Sequence, residues 1–243
     1  MRALAIETAT RIASVAIVVD DEPVAERSVP MSGSHARTLM PLVDAVLEQA
    51  GIGLGGIDLL AVSIGPGSFT GLRIGLAAAK GLALARRMPI VGVPTLEAYA
   101  QAAGERRGAV CPVLDARKGE VYAAVFRWRG GELVGVRPAT ALAPERVARS
   151  LRPPCILVGD GVDAYTELWR GALGGAATLI PLDALPPSAA AVGRLGIARA
   201  AAGGPDDVAR LEPQYCRLSE AESSGGRRAG IALGGDDSGA WKN

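Results

Sequence analysis

Histidine is almost absent from this sequence: the chain of 243 residues contains one, His35. A single imidazole excludes every metal motif built on two histidines and leaves one place for histidine-dependent catalysis. Cysteine is also rare, since Cys111, Cys155 and Cys216 are odd in number, far apart and never in a Cys-x-x-Cys pair. They therefore predict neither a disulfide framework nor a thiolate zinc site, and they fit a reducing compartment.

Long apolar runs are missing as well. The chain opens with one short apolar run that ends at the acidic Glu7, which is too short for the core of a signal peptide. No other run approaches the roughly 20 residues that a membrane-spanning helix needs. We therefore expect a soluble, cytoplasmic protein without membrane contact. The 26 basic and 25 acidic residues nearly balance, which argues against a nucleic-acid coat.

The most distinctive stretch covers residues 63–75 and consists of Ser-Ile-Gly-Pro-Gly-Ser-Phe-Thr-Gly-Leu-Arg-Ile-Gly. The apolar residues before it predict a strand over 58–63, which the Gly-Pro-Gly sequence must end. Ser68 and Thr70 are both suitable N-caps for a helix with an apolar period over 72–85. The stretch therefore predicts a strand, a tight turn and a helix.

Glycines weaken this predicted helix. Each interior glycine costs about 1 kcal/mol relative to alanine, so close packing must recover the loss. Small residues recur every four positions, at Gly67, Gly71, Gly75 and Ala79, and form a ridge on which another backbone can lie. The neighbour is either the chain's own sheet, which the sequence alone favours, or a second protein.

Hydrophobic patterning predicts two lobes of the same topology. In the first, strands over 3–6, 13–19 and 24–29 precede a helix over 35–50, a further strand and the glycine-ridged helix. This order predicts a mixed sheet, and it is the order of the ribonuclease-H-like unit shared by actin-like ATPases. We therefore assign the chain to the α/β class, as an actin-like ATPase (ribonuclease-H-like) fold whose two lobes each contain a mixed sheet flanked by helices.

Glycine-rich links and the last periodic helix predict the domain boundaries. The N-terminal actin-like lobe covers 1–104 and is joined by the helix over 188–202, and a second, smaller lobe covers 105–187. A C-terminal helix and extension follow over 188–218. The residues 219–243 are rich in glycine and lack periodicity, so we expect disorder there.

Two functional interpretations of the glycine-rich loop remain open, namely anion binding and serine hydrolysis, but the sequence lacks a feature that each one usually has. Its Gly-x-Gly-x-x-x-Gly spacing matches neither the dinucleotide fingerprint nor a P-loop, so anion binding would rest on backbone amides at a helix N-terminus. A serine hydrolase would use Ser63 or Ser68 as nucleophile and His35 as base. The local sequence is not a Gly-x-Ser-x-Gly elbow, which disfavours that interpretation.

An actin-like ATPase would use two turns between strands, over 7–10 and 115–119. The polar residues of these turns are the candidate nucleotide contacts, namely Glu7, Thr8, Thr10, Asp115 and Lys118. Ala9 stands where a glycine would let phosphate approach the backbone, and Glu7 has a long carboxylate side chain. These residues disfavour independent ATP turnover, and no metal site is predicted.

Eight segments carry a family signature. They are Leu4-Ala-Ile-Glu-Thr-Ala-Thr10, Ser14-Val-Ala16, His35-x-x-x-Leu39-x-Pro41, Gly65-Pro-Gly-Ser-Phe-Thr-Gly-Leu-Arg-Ile-Gly75, Lys80-Gly-Leu82, Gly92-Val-Pro-Thr-Leu-Glu97, Asp115-Ala-Arg-Lys-Gly-Glu-Val-Tyr122 and Glu212-Pro-Gln-Tyr-Cys-Arg217. Together they resemble the TsaB family, also called YeaZ, over about residues 1–218. The Gly-Pro-Gly-Ser-Phe-Thr-Gly block is the most specific of these segments.

The resemblance implies an actin-like fold without catalytic competence. TsaB-like proteins are the scaffold partner of a TsaD-like enzyme, which with a TsaE-like ATPase places threonylcarbamoyl on adenosine 37 of tRNAs that read codons beginning with A. The TsaD-like enzyme holds its metal through a His-x-x-x-His motif, which one histidine cannot supply. The resemblance thus implies a non-catalytic subunit that requires no cofactor, with ATP or ADP at the partner or the shared interface. The alternatives are an independent actin-like ATPase or kinase and a glycoprotease-like peptidase.

The resemblance also implies a partner surface on the first two helices, over 35–50 and 70–86. Its predicted residues are His35, Leu39, Leu42, Val43 and Val46 on the first helix, and Gly71, Leu72, Gly75, Leu76, Ala79 and Lys80 on the second. The expected partners are a TsaD-like catalytic subunit directly, and a TsaE-like ATPase and tRNA through the complex. A homodimer is expected when the catalytic partner is absent. Glu7 departs from the aspartate that is common in the family.

Overall fold

The computed structural model describes residues 1–31, 35–185, 188–216 and 241, and for residues 35 and 36 it describes the backbone alone. These residues divide into two compact units. Unit 1 comprises Met1–Gly104 and Asp183–Gln214, and unit 2 comprises Glu105–Leu182 with Tyr215, Cys216 and Trp241. No helix within the described ranges is long and apolar enough to cross a membrane.

Unit 1 is built on a five-stranded mixed sheet. Its strands are β1 (Arg2–Glu7), β2 (Ile12–Val19), β3 (Glu22–Pro30), β4 (Leu59–Gly65) and β5 (Ile90–Pro94). The order across the sheet is β3-β2-β1-β4-β5, with β1, β2 and β3 antiparallel and with β4 and β5 added in parallel. Short turns suffice for the antiparallel strands, whereas each parallel strand is reached through a helical crossover.

The described residues form seven α-helices. They are α1 (His35–Ala50), α2 (Phe69–Arg86), α3 (Thr95–Ala102), α4 (Pro144–Ser150), α5 (Asp160–Ala164), α6 (Thr166–Leu173) and α7 (Ala189–Gly203). The first three and α7 belong to unit 1, and the others belong to unit 2. The chain therefore returns to unit 1 through α7 after building unit 2.

Alternation along β1 divides the core of unit 1 into two layers. Leu4 and Ile6 pack with α1 and α2 on one face of the sheet, and Ala3 and Ala5 pack with α3 and α7 on the other. Successive side chains of a strand point to opposite faces, so one short sequence serves both layers. The small side chains on the α7 face leave room for that helix to lie close to the sheet.

Unit 2 contains the second five-stranded sheet. Its strands are β6 (Ala109–Arg117), β7 (Glu120–Arg129), β8 (Glu132–Leu142), β9 (Cys155–Val158) and β10 (Ala177–Ile180). The order is β10-β9-β6-β7-β8, with β6, β7 and β8 antiparallel and with β9 and β10 parallel to β6. The core combines this sheet with α4, α5 and α6, and its largest fully buried side chain is Trp169.

The predicted repeat of topology is confirmed, because strand order and direction in unit 2 follow those in unit 1. The predicted turn over 115–119 is too long. Strand β6 continues to Arg117, and the hairpin bends at Lys118 and Gly119, which both have positive φ.

The predicted disorder of 219–243 is corrected at one residue. Trp241 is 5% exposed and lies in the apolar core of unit 2. The other residues of that range lie outside the described part of the chain, so the prediction remains a prediction for them.

Candidate functional site

The turn between β1 and β2 is buried against the start of α2. Its residues Thr8, Ala9 and Thr10 are 0%, 2% and 5% exposed. The Thr8 hydroxyl donates to the Gly71 carbonyl oxygen at 2.9 Å, and the Ser68 amide donates to the Ala9 carbonyl oxygen at 2.6 Å. Hydrogen bonds thus join the turn and the helix in both directions.

The glycine ridge of α2 is the surface on which this turn lies. A Cβ atom added at Gly71 would overlap the Thr8 carbonyl oxygen, and one added at Gly75 would overlap the Thr8 hydroxyl. Gly67 stands in the same relation to the Ala9 carbonyl oxygen. The turn between β1 and β2 therefore occupies the ridge, so the neighbour at these glycines is the chain itself and not a second protein.

Glu7 ends β1 and carries a buried carboxyl group, 1% exposed. Its Oε1 accepts from the Ala9 amide at 2.5 Å and from the Ser63 hydroxyl at 3.5 Å. Its Oε2 accepts from the hydroxyls of Tyr99 at 3.3 Å and Ser188 at 3.1 Å. The carboxyl group therefore ties the turn to β4, to α3 and to the start of α7.

Burial governs the protonation of this carboxyl group. It raises the pKa of Glu7 from 4.5 to about 7, while the hydrogen bonds that the group accepts lower the pKa in part. The protonated and ionised forms are therefore both populated near pH 7. Within the described residues, no group of three or more His, Cys, Asp or Glu side chains is placed to hold a metal ion.

The candidate nucleotide contacts lie in both units. Glu7, Thr8 and Thr10 come together in unit 1, where they are buried and their side-chain oxygens are engaged in internal hydrogen bonds. Asp115 and Lys118 lie at the end of β6 and in the hairpin that follows it in unit 2. The Asp115 carboxylate accepts from the backbone amide two residues ahead at 2.8 Å. The polar side chains of the unit 1 turn therefore form hydrogen bonds that stabilise the fold.

Most residues predicted to meet a partner are buried inside unit 1. They are Leu39, Leu42, Val43, Val46, Gly71, Leu72, Gly75, Leu76 and Ala79. A buried side chain is not accessible to another protein while its own chain stays folded. The prediction that these residues contact a partner is therefore corrected, and they are core residues. The side chain of His35 lies outside the described part of the chain. The location of a partner surface on α1 and α2 remains a prediction.

Lys80 is also used within the chain. Its Nζ donates to the carbonyl oxygens of Ala209 at 3.3 Å and Leu211 at 2.9 Å. Both belong to the segment 204–214, which follows α7 and meets the edge of β5 where the Asp206 amide donates to the Ile90 carbonyl oxygen. Lys80 therefore connects this segment to α2, and its role at a partner surface remains a prediction.

The outward faces of α1 and α2 expose a different set of residues. Met40 and Phe69 are each 38% exposed, and Leu84 is 66% exposed. Ala77 and Gly81 are exposed between Phe69 and Leu84 on α2. We call these five residues the outer surface. The sequence analysis did not predict these residues because it placed the partner surface on the small-residue stripe that includes Gly71 and Gly75. Ala77 and Gly81, four residues apart, form a second stripe on the same helix.

Unit 1 also contains a cavity of about 800 Å³ between β5, the end of α7 and the segment 204–214. Arg199 and Arg210 stand at its wall. Arg199 pairs with Glu97 at 2.5 Å, and Arg210 pairs with Asp207 at 3.6 Å. Acidic neighbours therefore neutralise both guanidinium groups locally.

Comparison with known proteins extends over both units. The family model described as "TsaD: tRNA N6-adenosine threonylcarbamoyltransferase" matches residues 30–223. The chain is 39% identical over 181 residues to the Escherichia coli K12 protein named tRNA threonylcarbamoyladenosine biosynthesis protein TsaB, with 70% of this chain and 76% of that protein covered. A Bacillus subtilis protein of the same name is 29% identical over 226 residues, with 92% of this chain and 97% of that protein covered.

A solved structure has the same architecture. The structure described as YeaZ from Pseudomonas aeruginosa superposes with a TM-score of 0.75 and is 29% identical, with 88% of this chain and 99% of that chain covered. The likeness confirms the actin-like, ribonuclease-H-like fold that the sequence predicts.

The buried Glu7 carboxyl group predicts a stability that falls as pH rises. Its folded-state pKa of about 7 lies above the ordinary 4.5, so the folded chain binds more protons than the unfolded chain between these values. The contribution is fully present below pH 4.5 and is lost through pH 7, by about 3 kcal/mol in all. Glu7→Gln, which stays neutral, should remove this part of the decline in urea unfolding measured from pH 5 to pH 8. Parallel wild-type and variant curves would contradict the assignment.

The contact between the turn and α2 predicts opposite effects for two alanines in one helix. Gly71→Ala should lower the free energy of unfolding by roughly 1–3 kcal/mol, because the new Cβ would overlap a buried carbonyl oxygen. Gly81→Ala, where the added atom meets open space, should raise it by about 0.5–1 kcal/mol. Denaturant midpoints followed by circular dichroism make the comparison. Equal midpoints for the two variants would show that the ridge is not filled.

Proposed function

This chain belongs to the TsaB family, and on that premise we propose that it is a non-catalytic scaffold and activating subunit of a tRNA-modifying complex. The complex adds threonylcarbamoyl to adenosine 37 of tRNAs that read codons beginning with A. The similarity to proteins named for tRNA threonylcarbamoyladenosine biosynthesis supports the assignment to this pathway. It does not favour either alternative, an independent ATPase or kinase, or a peptidase.

The buried turn over residues 7–10 supports the non-catalytic part of the proposal. In a nucleotide-hydrolysing enzyme of this fold, such a turn would have to present open backbone and a carboxylate to phosphate and metal. Here Glu7 accepts its hydrogen bonds from the fold, and Thr8 lies on the glycines of α2. The subunit on this view requires no cofactor of its own, and ATP or ADP binds at the partner or the shared interface.

The outer surface supports a helix-mediated contact with a TsaD-like catalytic subunit. Met40, Phe69 and Leu84 expose apolar area, while Ala77 and Gly81 leave the backbone of α2 open to close approach. The family model that describes the TsaD enzyme matches this chain, so the two subunits share a domain and can meet through like surfaces. The same surface would form a homodimer when the partner is absent.

The other partners follow from the complex and not from a site on this chain. A TsaE-like ATPase and tRNA are proposed to join through the assembled complex. The nearly balanced charge, 26 basic against 25 acidic residues, fits a subunit that does not carry the main RNA-binding surface.

A charge on the outer surface should prevent assembly without disturbing the fold. Ala77→Glu should weaken binding to the TsaD-like subunit by roughly 30-fold or more, because an unpaired charge buried in an interface costs about 2–5 kcal/mol. Gly75 and Leu76 are unsuitable sites because both are buried. Copurification and calorimetric titration of the two purified subunits measure the effect.

Ala201→Glu is the matched control. Ala201 is an exposed alanine of α7, and α7 packs on the face of the sheet opposite to α1 and α2. It should bind the TsaD-like subunit as the wild type does. Wild-type binding by a folded Ala77→Glu variant would refute the placement of the interface. Equal weakening by both variants would show that the effect is not local.

The purified chain alone should show no steady turnover of ATP. Asp115→Ala should leave the background rate of phosphate release unchanged, because the Asp115 carboxylate is paired with the backbone amide and the guanidinium group of Arg117. Phosphate release measured over many enzyme equivalents tests the prediction. Steady turnover by the wild type that Asp115→Ala abolishes would establish an independent ATPase instead.

A further inference from the structure

Trp241 fills a slot in unit 2. Its side chain is 5% exposed and belongs to the same apolar cluster as Val125, Leu142 and Val147. Its indole Nε1 donates to the Pro138 carbonyl oxygen at 3.3 Å. The ring thus combines apolar burial with a satisfied polar tip, which is how tryptophan is usually accommodated at an interface.

The slot lies where β8 departs from regular pairing with β7. Arg137 pairs with Val125 and Thr140 pairs with Ala123, with an irregularity between the two pairs. Pro138 lies in that irregularity, and a proline there donates no ladder hydrogen bond. Its carbonyl oxygen accepts from the indole. The Pro138 carbonyl oxygen, at the point where strand pairing is interrupted, is therefore the polar group that holds the indole in the slot.

Arg137 adds a buried polar group to the filled slot. Directly opposed residues of paired strands share a face, so Arg137 lies on the same face as the buried Val125. Its guanidinium carbon is 5.3 Å from the centre of the Trp241 ring. Its Nη1 is buried, and nothing in the described part of the chain accepts a hydrogen bond from it.

Two opposing contributions therefore act on Trp241. Burial of the indole and its contact with the guanidinium favour the filled slot. A buried donor without an acceptor favours an open slot, because water would then reach Arg137. A contact balanced in this way is suited to opening and closing.

We propose that unit 2 has, at Arg137 and Pro138, a binding slot for an indole carried on a peptide segment, and that Trp241 fills this slot reversibly from within the same chain. The covalent connection makes the docking intramolecular, which favours Trp241 over an indole offered by a free peptide. The slot lies in unit 2, so it stands apart from the function proposed for the helices of unit 1.

The test empties the slot in the full chain. In Trp241→Ala, hydrogen exchange of backbone amides over 132–142 should become at least about tenfold faster, while exchange over α2 in unit 1 should stay unchanged. A peptide with the sequence of residues 236–243, added in excess to this variant, should restore the protection. The same peptide carrying Trp241→Ala should not.

Each other outcome overturns the proposal. Unchanged exchange over 132–142 in the variant would show that the indole does not close the slot. Loss of protection throughout unit 2 would make Trp241 a permanent core residue. Failure of the wild-type peptide to restore protection would show that there is no reversible site, and equal restoration by both peptides would show that the site does not recognise the indole.

Discussion

The contact between the turn after β1 and the glycine face of α2 is the constraint on which the rest of unit 1 depends. It brings the Thr8 carbonyl and hydroxyl groups to positions where any side chain at Gly71 or Gly75 would overlap them. The helix loses about 1 kcal/mol for each glycine relative to alanine. It recovers that loss through hydrogen bonds and close packing with the turn, so the helix and the turn specify each other.

The same contact determines what the turn can do. Because Thr8, Ala9 and Thr10 are buried on α2, the Glu7 carboxyl group is also drawn inside, where hydroxyls from α3, α7 and β4 surround it. Burial raises the pKa of Glu7 to about 7. The turn therefore holds the strands and helices of unit 1 together through internal hydrogen bonds.

Packing also separates the two faces of each helix into different roles. The inward stripe of α2, which includes Leu72 and Ala79, is core, and Lys80 holds the segment that follows α7. The outward stripe with Ala77 and Gly81 is exposed, and it belongs to the surface that we propose for the partner. Unit 2 repeats the sheet topology but uses its surface differently, since an interruption in β8 forms the slot for Trp241.

The sequence by itself determined the order of strands and helices and the repeat of topology, and it limited the N-cap of α2 to Ser68 or Thr70. Alternation in β1, the glycine-rich turn signals and the Ser68 hydroxyl are local features, and the structure has Ser68 accepting from the Gly71 amide at 3.2 Å. It also determined the absence of a two-histidine metal motif, since composition alone decides that.

Only the tertiary structure decided which neighbour meets the glycine ridge, which stripe of α2 is exposed and where Trp241 lies. Two small-residue stripes on one helix are equivalent in a linear pattern, because periodicity reports spacing and not the direction of the core. The burial of Glu7 likewise depends on Tyr99 and Ser188, which are distant along the chain. Such contacts arise only when the sheet brings remote segments together.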